Sequence, residues 1–246
     1  CEKFVSQHIT KIPYRIMDNG KNNGVTQAFA NLTKAADGKY IAYCDQDDIW
    51  MNKKISLTVD FLEKHPECSC CHCECQLIDD YDRIIKEHYY PASLEIVNNI
   101  KYQKNTFLVK NWNIGCAMMM PTSVAKAALP FPDMVFHDQW LEMFALTKGN
   151  FCYMRESLLQ HRIHGTNNRQ TLHGVEKKSD YYRLKLEKEK NFFAFLKEHL
   201  VYWKEYQKVE MCISVRENYA QHPGIWTFFQ MCRFIRVRPG VMLFEL

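Results

Sequence analysis

Between residues 12 and 78, runs of strand formers alternate with runs of helical period, and a turn or stop signal separates each from the next. Ile12–Met17 is a short apolar-alternating run that gives way to Asp18-Asn-Gly-Lys-Asn-Asn-Gly24, which predicts a strand and then a loop. Val25, Ala28, Phe29, Leu32, Ala35 and Ala36 recur at helical spacing, with Gly38 as the stop. Lys39-Tyr-Ile-Ala-Tyr-Cys44 reads as a strand. Ile49–Lys64 reads as a helix with Ile55, Val59 and Leu62 on one face, closed by Pro66. Cys68–Ile78 reads as a buried strand before the polar turn Asp79-Asp-Tyr-Asp82. This alternation predicts an α/β domain with a largely parallel sheet.

Downstream the pattern continues less clearly. Asn113–Pro121 is an apolar run, Thr122–Leu129 has the character of a short helix, and Asp138–Lys148 has helical spacing. From about Val175 the character changes: Tyr181–Lys208 lacks Gly and Pro and reads as one or two amphipathic helices. The tail after Pro223 mixes aromatic and basic residues. The predicted organisation is therefore an α/β domain over 1–165 and a helical region over 166–246. With 47% hydrophobic, 24% charged and 13% aromatic residues the chain is not of disordered composition. No uncharged apolar run is long enough to span a bilayer. A net charge of +4 is too mild to argue for nucleic acid, and the basic excess falls in the C-terminal third. The 11 cysteines are neither paired nor spread like a disulfide scaffold, which reads as a reduced, cytoplasmic protein.

Three constellations could carry chemistry. Asp45-Gln-Asp-Asp48 directly follows the strand ending at Cys44, and open sheets gather ligands at the carboxyl ends of their strands. Adjacent carboxylates repel one another, and a hard cation such as Mg²⁺ or Mn²⁺, which also bridges phosphates, offsets that repulsion. In an extended segment Asp45 and Asp47 would point to the same side. The structural alternative is an acidic turn capping a helix that starts near Ile49. His137-Asp-Gln-Trp140 opens a helix after a Pro-rich loop, so Asp138 is either a cap or a general base. His161-Arg-Ile-His164-Gly-Thr-Asn167 offers imidazoles and a guanidinium for a metal or a phosphate.

The run from Asn31 through Ala35-Ala-Asp-Gly-Lys-Tyr-Ile-Ala-Tyr-Cys-Asp-Gln-Asp-Asp-Ile-Trp50, with Lys53 or Lys54 after it, resembles family 2 glycosyltransferases of the GT-A fold, and among them the rhamnosyltransferase-like branch. Asn113-Ile-Gly-Cys-Ala117, His137-Asp-Gln-Trp140 and His161–Asn167 follow in the family's order. The resemblance implies a partial Rossmann-like nucleotide-diphospho-sugar transferase domain with a helical C-terminal extension. It implies that Asp45, Asp47 and Asp48 bind the donor nucleotide and its Mg²⁺ or Mn²⁺, with Asp47 the main metal ligand and His164 completing the shell. Asp138 would deprotonate the acceptor hydroxyl, and Trp50, Gly115, Cys116, Trp140 and Arg162 would line the substrate. The implied reaction is inverting transfer of a sugar, rhamnose by branch resemblance, to a glycan or lipid-linked glycan of a cell-surface polysaccharide. The family's first strand, and its second strand ending in Asp-Asp-Gly-Ser, have no counterpart before Ile12, which implies a domain incomplete at its N-terminus.

Other readings compete with this one. The acidic tetrad alone also suits a Mg²⁺-dependent nucleotidyl- or phosphotransferase, and a decayed transferase would be a binding module. Cys68, Cys70, Cys71, Cys73 and Cys75 could form a zinc module. On a strand, however, Cys71, Cys73 and Cys75 share one face and Cys68 and Cys70 the other, with same-face neighbours about 7 Å apart. Buried apolar thiols are the better account. Residues 223–246 could lie on an anionic bilayer, which would place the protein at the inner face of the plasma membrane, or pack as an ordinary helix.

Overall fold

The computed structural model describes residues 2–17, 20–90, 103, 113–164, 176–200 and 204–234. Among these, one mixed sheet runs in the spatial order β1 (Tyr40–Ala42), β5 (Met118–Pro121), β3 (Cys68–Ile78), β6 (Asn150–Arg162) and β2 (Ile49–Trp50), with β4 (Ile84–Lys86) hairpinned onto β3. β3 and β6 form its long centre, parallel from Cys68 opposite Asn150 to Ile78 opposite Arg162. The other pairings are antiparallel, so the sheet is not largely parallel as the alternation predicts. β1 and β3 do point the same way, since both run opposite to β5, but β5 is inserted between them. Alternation along a sequence reports crossover direction; it does not report a later segment slipping in between.

Helices α1 (Glu2–His8), α2 (Val25–Ala35) and α3 (Lys54–Lys64) precede β3, and α4 (Thr122–Ala127) and α5 (His137–Lys148) lie between β5 and β6. Two expectations fail here. Ile12–Met17 joins no ladder among the described residues and stays exposed, Ile12 at 70%. The helix expected from Ile49 starts at Lys54, because Ile49 and Trp50 pair with Gln160 and Leu159 of β6 and the Met51 N–H donates to the Leu158 carbonyl at 3.0 Å.

β3 is covered on both faces, as expected of a buried strand. Cys70 faces a core with α2 and α5, while Cys71, Cys73 and Cys75 face a second core with Leu62, Met119 and Leu159. A register shift between positions 68 and 70 turns Cys68 to the second side, not to the side of Cys70. There it is disulfide-bonded to Cys152 of β6, a departure from the fully reduced reading. Cys70, Cys71 and Cys73 are free thiols and, like Cys75, are buried. Among the described residues the group disposed to hold a metal lies elsewhere, at Asp45, Asp48 and Cys116.

α5 is buried on most of its sides, including Trp140, Leu141, Met143 and Leu146. A single residue, Gly149, separates it from β6, and α5 packs on β6 and β3. The helix therefore runs back along the strand, which places its N-terminus at the end of the sheet where β6 finishes. Beyond β6 come α6 (Lys178–Tyr181), a π-turn over Tyr182–Leu186, α7 (Glu187–His199), α8 (Glu205–Gln221) and α9 (Ile225–Arg233). Leu186, Phe192, Phe193, Leu196 and Tyr206 belong to the same apolar core as Trp140 and Phe151. Buried Arg216 donates to Glu189 at 2.6 Å and ties α8 to α7.

Candidate active site

The acidic segment leaves β1 and is stitched onto the far end of β6. The Asp45 N–H donates to Cys116 Sγ at 3.0 Å. Asp48 Oδ1 meets His161 Nδ1 at 2.8 Å and accepts the Arg162 N–H at 3.0 Å. Asp47 Oδ2 meets His164 Nε2 at 2.8 Å, and the Asp47 carbonyl accepts from Arg162 Nε at 3.0 Å. None of these carboxylates caps a helix: α3 begins six residues after Asp48, and its N-cap residue, Lys53, makes no side-chain cap bond. The chain bends at Gln46 and Asp47, so Asp45 groups with Asp48 and the Cys116 thiol, all within 4.8 Å, and Asp47 turns to His164. The same-side placement of Asp45 and Asp47 expected for an extended strand is thereby replaced.

Electrostatics favour the anionic form of Asp48. Burial pushes the Asp48 carboxyl up, but the hydrogen bond and charge of His161, the Arg162 N–H and the Cys116 thiol outweigh it and hold Asp48 below the usual carboxylate range. Asp48 Oδ2 is buried without a hydrogen-bonding partner among the described residues. Burial, then Asp45 and Asp48, push the Cys116 thiol far up, so it stays neutral and is a poor ligand. Two carboxylates, one of them with an orphaned buried oxygen, and a third beside an imidazole form a donor set that fits Mg²⁺ or Mn²⁺.

Asp138 sits in the first turn of α5, 9% exposed, with Oδ1 accepting the Gln139 N–H at 2.8 Å. The neighbouring His137 stacks on Phe29 of α2 at 3.9 Å, and burial holds its imidazole neutral against the pull of Asp138 and Asp45. Both residues close on the 3₁₀ turn Gly115–Ala117. A methyl group at Gly115 would come to 2.9 Å from His137 Nε2 and 3.4 Å from Asp138 Cβ. The next residue, Cys116, supports Asp45 and Asp48. One turn thus touches both the acidic corner and the start of α5.

The expected substrate-lining residues divide. Gly115 and Cys116 are buried beneath the corner and act as its support. Trp140 faces the core, 4% exposed, its indole N–H donating to the Ala128 carbonyl at 2.7 Å. Arg162 clamps loops together, donating to the carbonyls of Asp47 and Asp79 and to the Asp82 carboxylate. Trp50 packs against the second core with Lys54 Nζ 5.0 Å from its ring. Gly165-Thr-Asn167 lies outside the described residues. Sequence reasoning gave His161 no role of its own, although it is the partner of Asp48; it lies next to Gln160, which pairs with Ile49, and no local pattern shows that pairing. A cavity of about 620 Å³ opens beside this end of α5, lined by Lys21, Gln27, Asn31, Val135, Phe136 and Lys188 among others. Its volume is that of a small-molecule site.

The sequence profile of Glycosyl transferase family 2 matches residues 1–129. An uncharacterized protein of Mycobacterium tuberculosis (strain H37Rv) is 29% identical over 92 residues, 36% of this chain and 26% of that protein. The chain thus spans about a quarter of such curated relatives. An uncharacterized glycosyltransferase of Methanocaldococcus jannaschii is 25% identical over 191 residues, 76% of this chain and 62% of that one. Among solved structures, that of S. aureus TarS in complex with UDP-GlcNAc superposes with a TM-score of 0.58 at 11% identity, covering 98% of this chain and 70% of that one, a likeness of fold.

Proposed function

This chain belongs to glycosyl transferase family 2, and from that premise we propose that it moves a sugar from a nucleotide-diphosphate donor to a hydroxyl of a cell-surface polysaccharide, with inversion and with Mg²⁺ or Mn²⁺ as cofactor. The observation that carries the reading is the turn Gly115–Ala117, which joins the acidic corner to Asp138. Nucleotide-sugar transfer needs those two parts side by side: an anionic cradle for a cation against the pyrophosphate, and a carboxylate for the acceptor proton.

Asp45, Asp47, Asp48 and His164 are the residues that would hold the cation. When bound, it neutralises charge gathering on the nucleoside-diphosphate leaving group. Asp138 takes the acceptor proton at a carboxylate oxygen. His137, neutral and stacked on Phe29, fixes the direction from which Asp138 works. The cavity lined by Asn31, Phe136 and Lys188 is the proposed acceptor approach. A single attack opposite the leaving group inverts the anomeric centre. Rhamnose from a dTDP donor is the leading sugar, by the resemblance of Asp45-Gln-Asp-Asp-Ile-Trp50 to that branch. UDP-GlcNAc, bound in TarS, is the second donor to test.

The test presents dTDP-rhamnose and UDP-GlcNAc with Mn²⁺ and a glycan acceptor library, and reads products by mass spectrometry. Sugar transfer abolished by EDTA, with Mn²⁺-dependent donor binding lost in Asp47→Ala, is the expected result. Transfer of the nucleotide instead of the sugar, or turnover indifferent to EDTA, contradicts the proposal.

A further inference from the structure

α9 meets the rest of the protein along one side only. Met231 and Phe234, 0% and 6% exposed, pack with Cys212 and Tyr219 of α8. Its other side presents Ile225 at 69% exposure, Trp226 at 80% and Phe229 at 61%. Trp226, Phe229 and exposed Arg233 follow one another at i, i+3 and i+7 and so form one stripe. The first turn is preset: the Gly224 N–H donates to the Thr227 hydroxyl at 3.0 Å, and that hydroxyl donates back within the turn. A contiguous group of bare Trp, Phe and Ile side chains on a fixed helix marks an interaction surface.

Charge selects the partner. From Asn218 to Phe244 the sequence has no Asp or Glu and carries Arg233, Arg236 and Arg238. A parallel symmetric pairing of two copies through this stripe would bring Arg233 against Arg233, and an antiparallel one would set each Arg233 at the apolar Ile225–Trp226 end of the other copy, with no nearby carboxylate of the segment to offset the charge in either case. An anionic bilayer supplies both missing complements, headgroup phosphates for the arginines and an apolar boundary for Trp226 and Phe229. No described helix is long and apolar enough to cross a membrane, and a nine-residue helix is only about 14 Å long, so the contact lies in the plane of the surface.

We propose that α9 is an interfacial anchor that lays Ile225, Trp226 and Phe229 into an anionic lipid surface. The anchor goes beyond the transfer reaction and stands without it. The test co-sediments the full chain with phosphatidylcholine vesicles with or without phosphatidylglycerol, in the absence of any nucleotide-sugar, so that failure of the transferase reading leaves the outcome intact. The expected result is partition at least tenfold stronger onto phosphatidylglycerol vesicles, weakening with salt. Trp226→Ser/Phe229→Ser should lose at least tenfold of that partition with an unchanged melting midpoint, and Arg233→Gln should lose a smaller part. Equal partition of wild type and double variant, or equal partition onto both vesicle types, overturns the proposal. So does weak vesicle binding together with a concentration-dependent dimer that the same double variant abolishes in sedimentation velocity.

Discussion

The least expected single residue is His72, fully buried on β3 among Tyr90, Phe151 and Tyr153, with neither ring nitrogen bonded among the described residues. Burial pushes its pKa down to about 3, from an ordinary value of 6.5. Between those values the unfolded chain binds the proton and the folded chain does not. This contribution is therefore intact above about pH 6.5 and erodes as pH falls toward 3, by up to about 1.4 kcal/mol per pH unit. Urea midpoints at pH 7.0 and 5.5 should diverge in the wild type and much less in His72→Phe; parallel shifts in the two proteins would contradict the burial argument. At this scale the sequence was legible where chemistry is local. The three aspartates straight after a strand do gather with His161 and His164, and Asp138 does sit in the first turn of α5. His161 was silent because its pairing with Asp48, 113 positions away, depends on β2 meeting β6. Trp140, two residues after Asp138, packs into the core because α5 is buried nearly all round, which its place in the sequence does not show.

Elements were legible where one segment dictates its own state. Cys68–Ile78, a cysteine-rich run ending in a polar turn, forms the strand with the boundaries read from it. Ile49–Trp50 was read as helix because a two-residue strand exists only through its partner, and no local pattern encodes that. The 3₁₀ turn Gly115–Ala117 shows what such non-local meetings achieve. Gly115→Ala places a methyl 2.9 Å from His137 Nε2, so the start of α5 must move. A misplacement of that order costs about 100-fold in turnover, while donor binding at the corner is retained. Gly115→Ala/His137→Ala makes room for the methyl and should recover part of kcat without changing donor affinity. Steady-state kinetics with donor titrations reads this, and an additive loss in the double variant would show that the turn does not act through His137.

Across the whole molecule, helical period foretold the C-terminal helices, but not that they complete the same core as the sheet, since periodicity gives a face and not its neighbour. Leu196, 0% exposed, lies in that shared core with Trp140 and Phe151. Leu196→Ala should cost about 2–5 kcal/mol and shift one common unfolding transition, followed together by far-ultraviolet circular dichroism and tryptophan fluorescence; two separated transitions would mean that the helices stand apart. The central claim is that the corner at Asp45–Asp48 and the carboxylate of Asp138 divide donor binding from proton removal, and Asp138→Asn tests it most directly. Sugar transfer and Mn²⁺-dependent nucleotide binding are measured on the same preparation. The account predicts transfer down by at least about 100-fold, the scale of losing a general base, with nucleotide affinity within about twofold. Unchanged transfer in that variant, or nucleotide binding lost along with it, would contradict the division of roles.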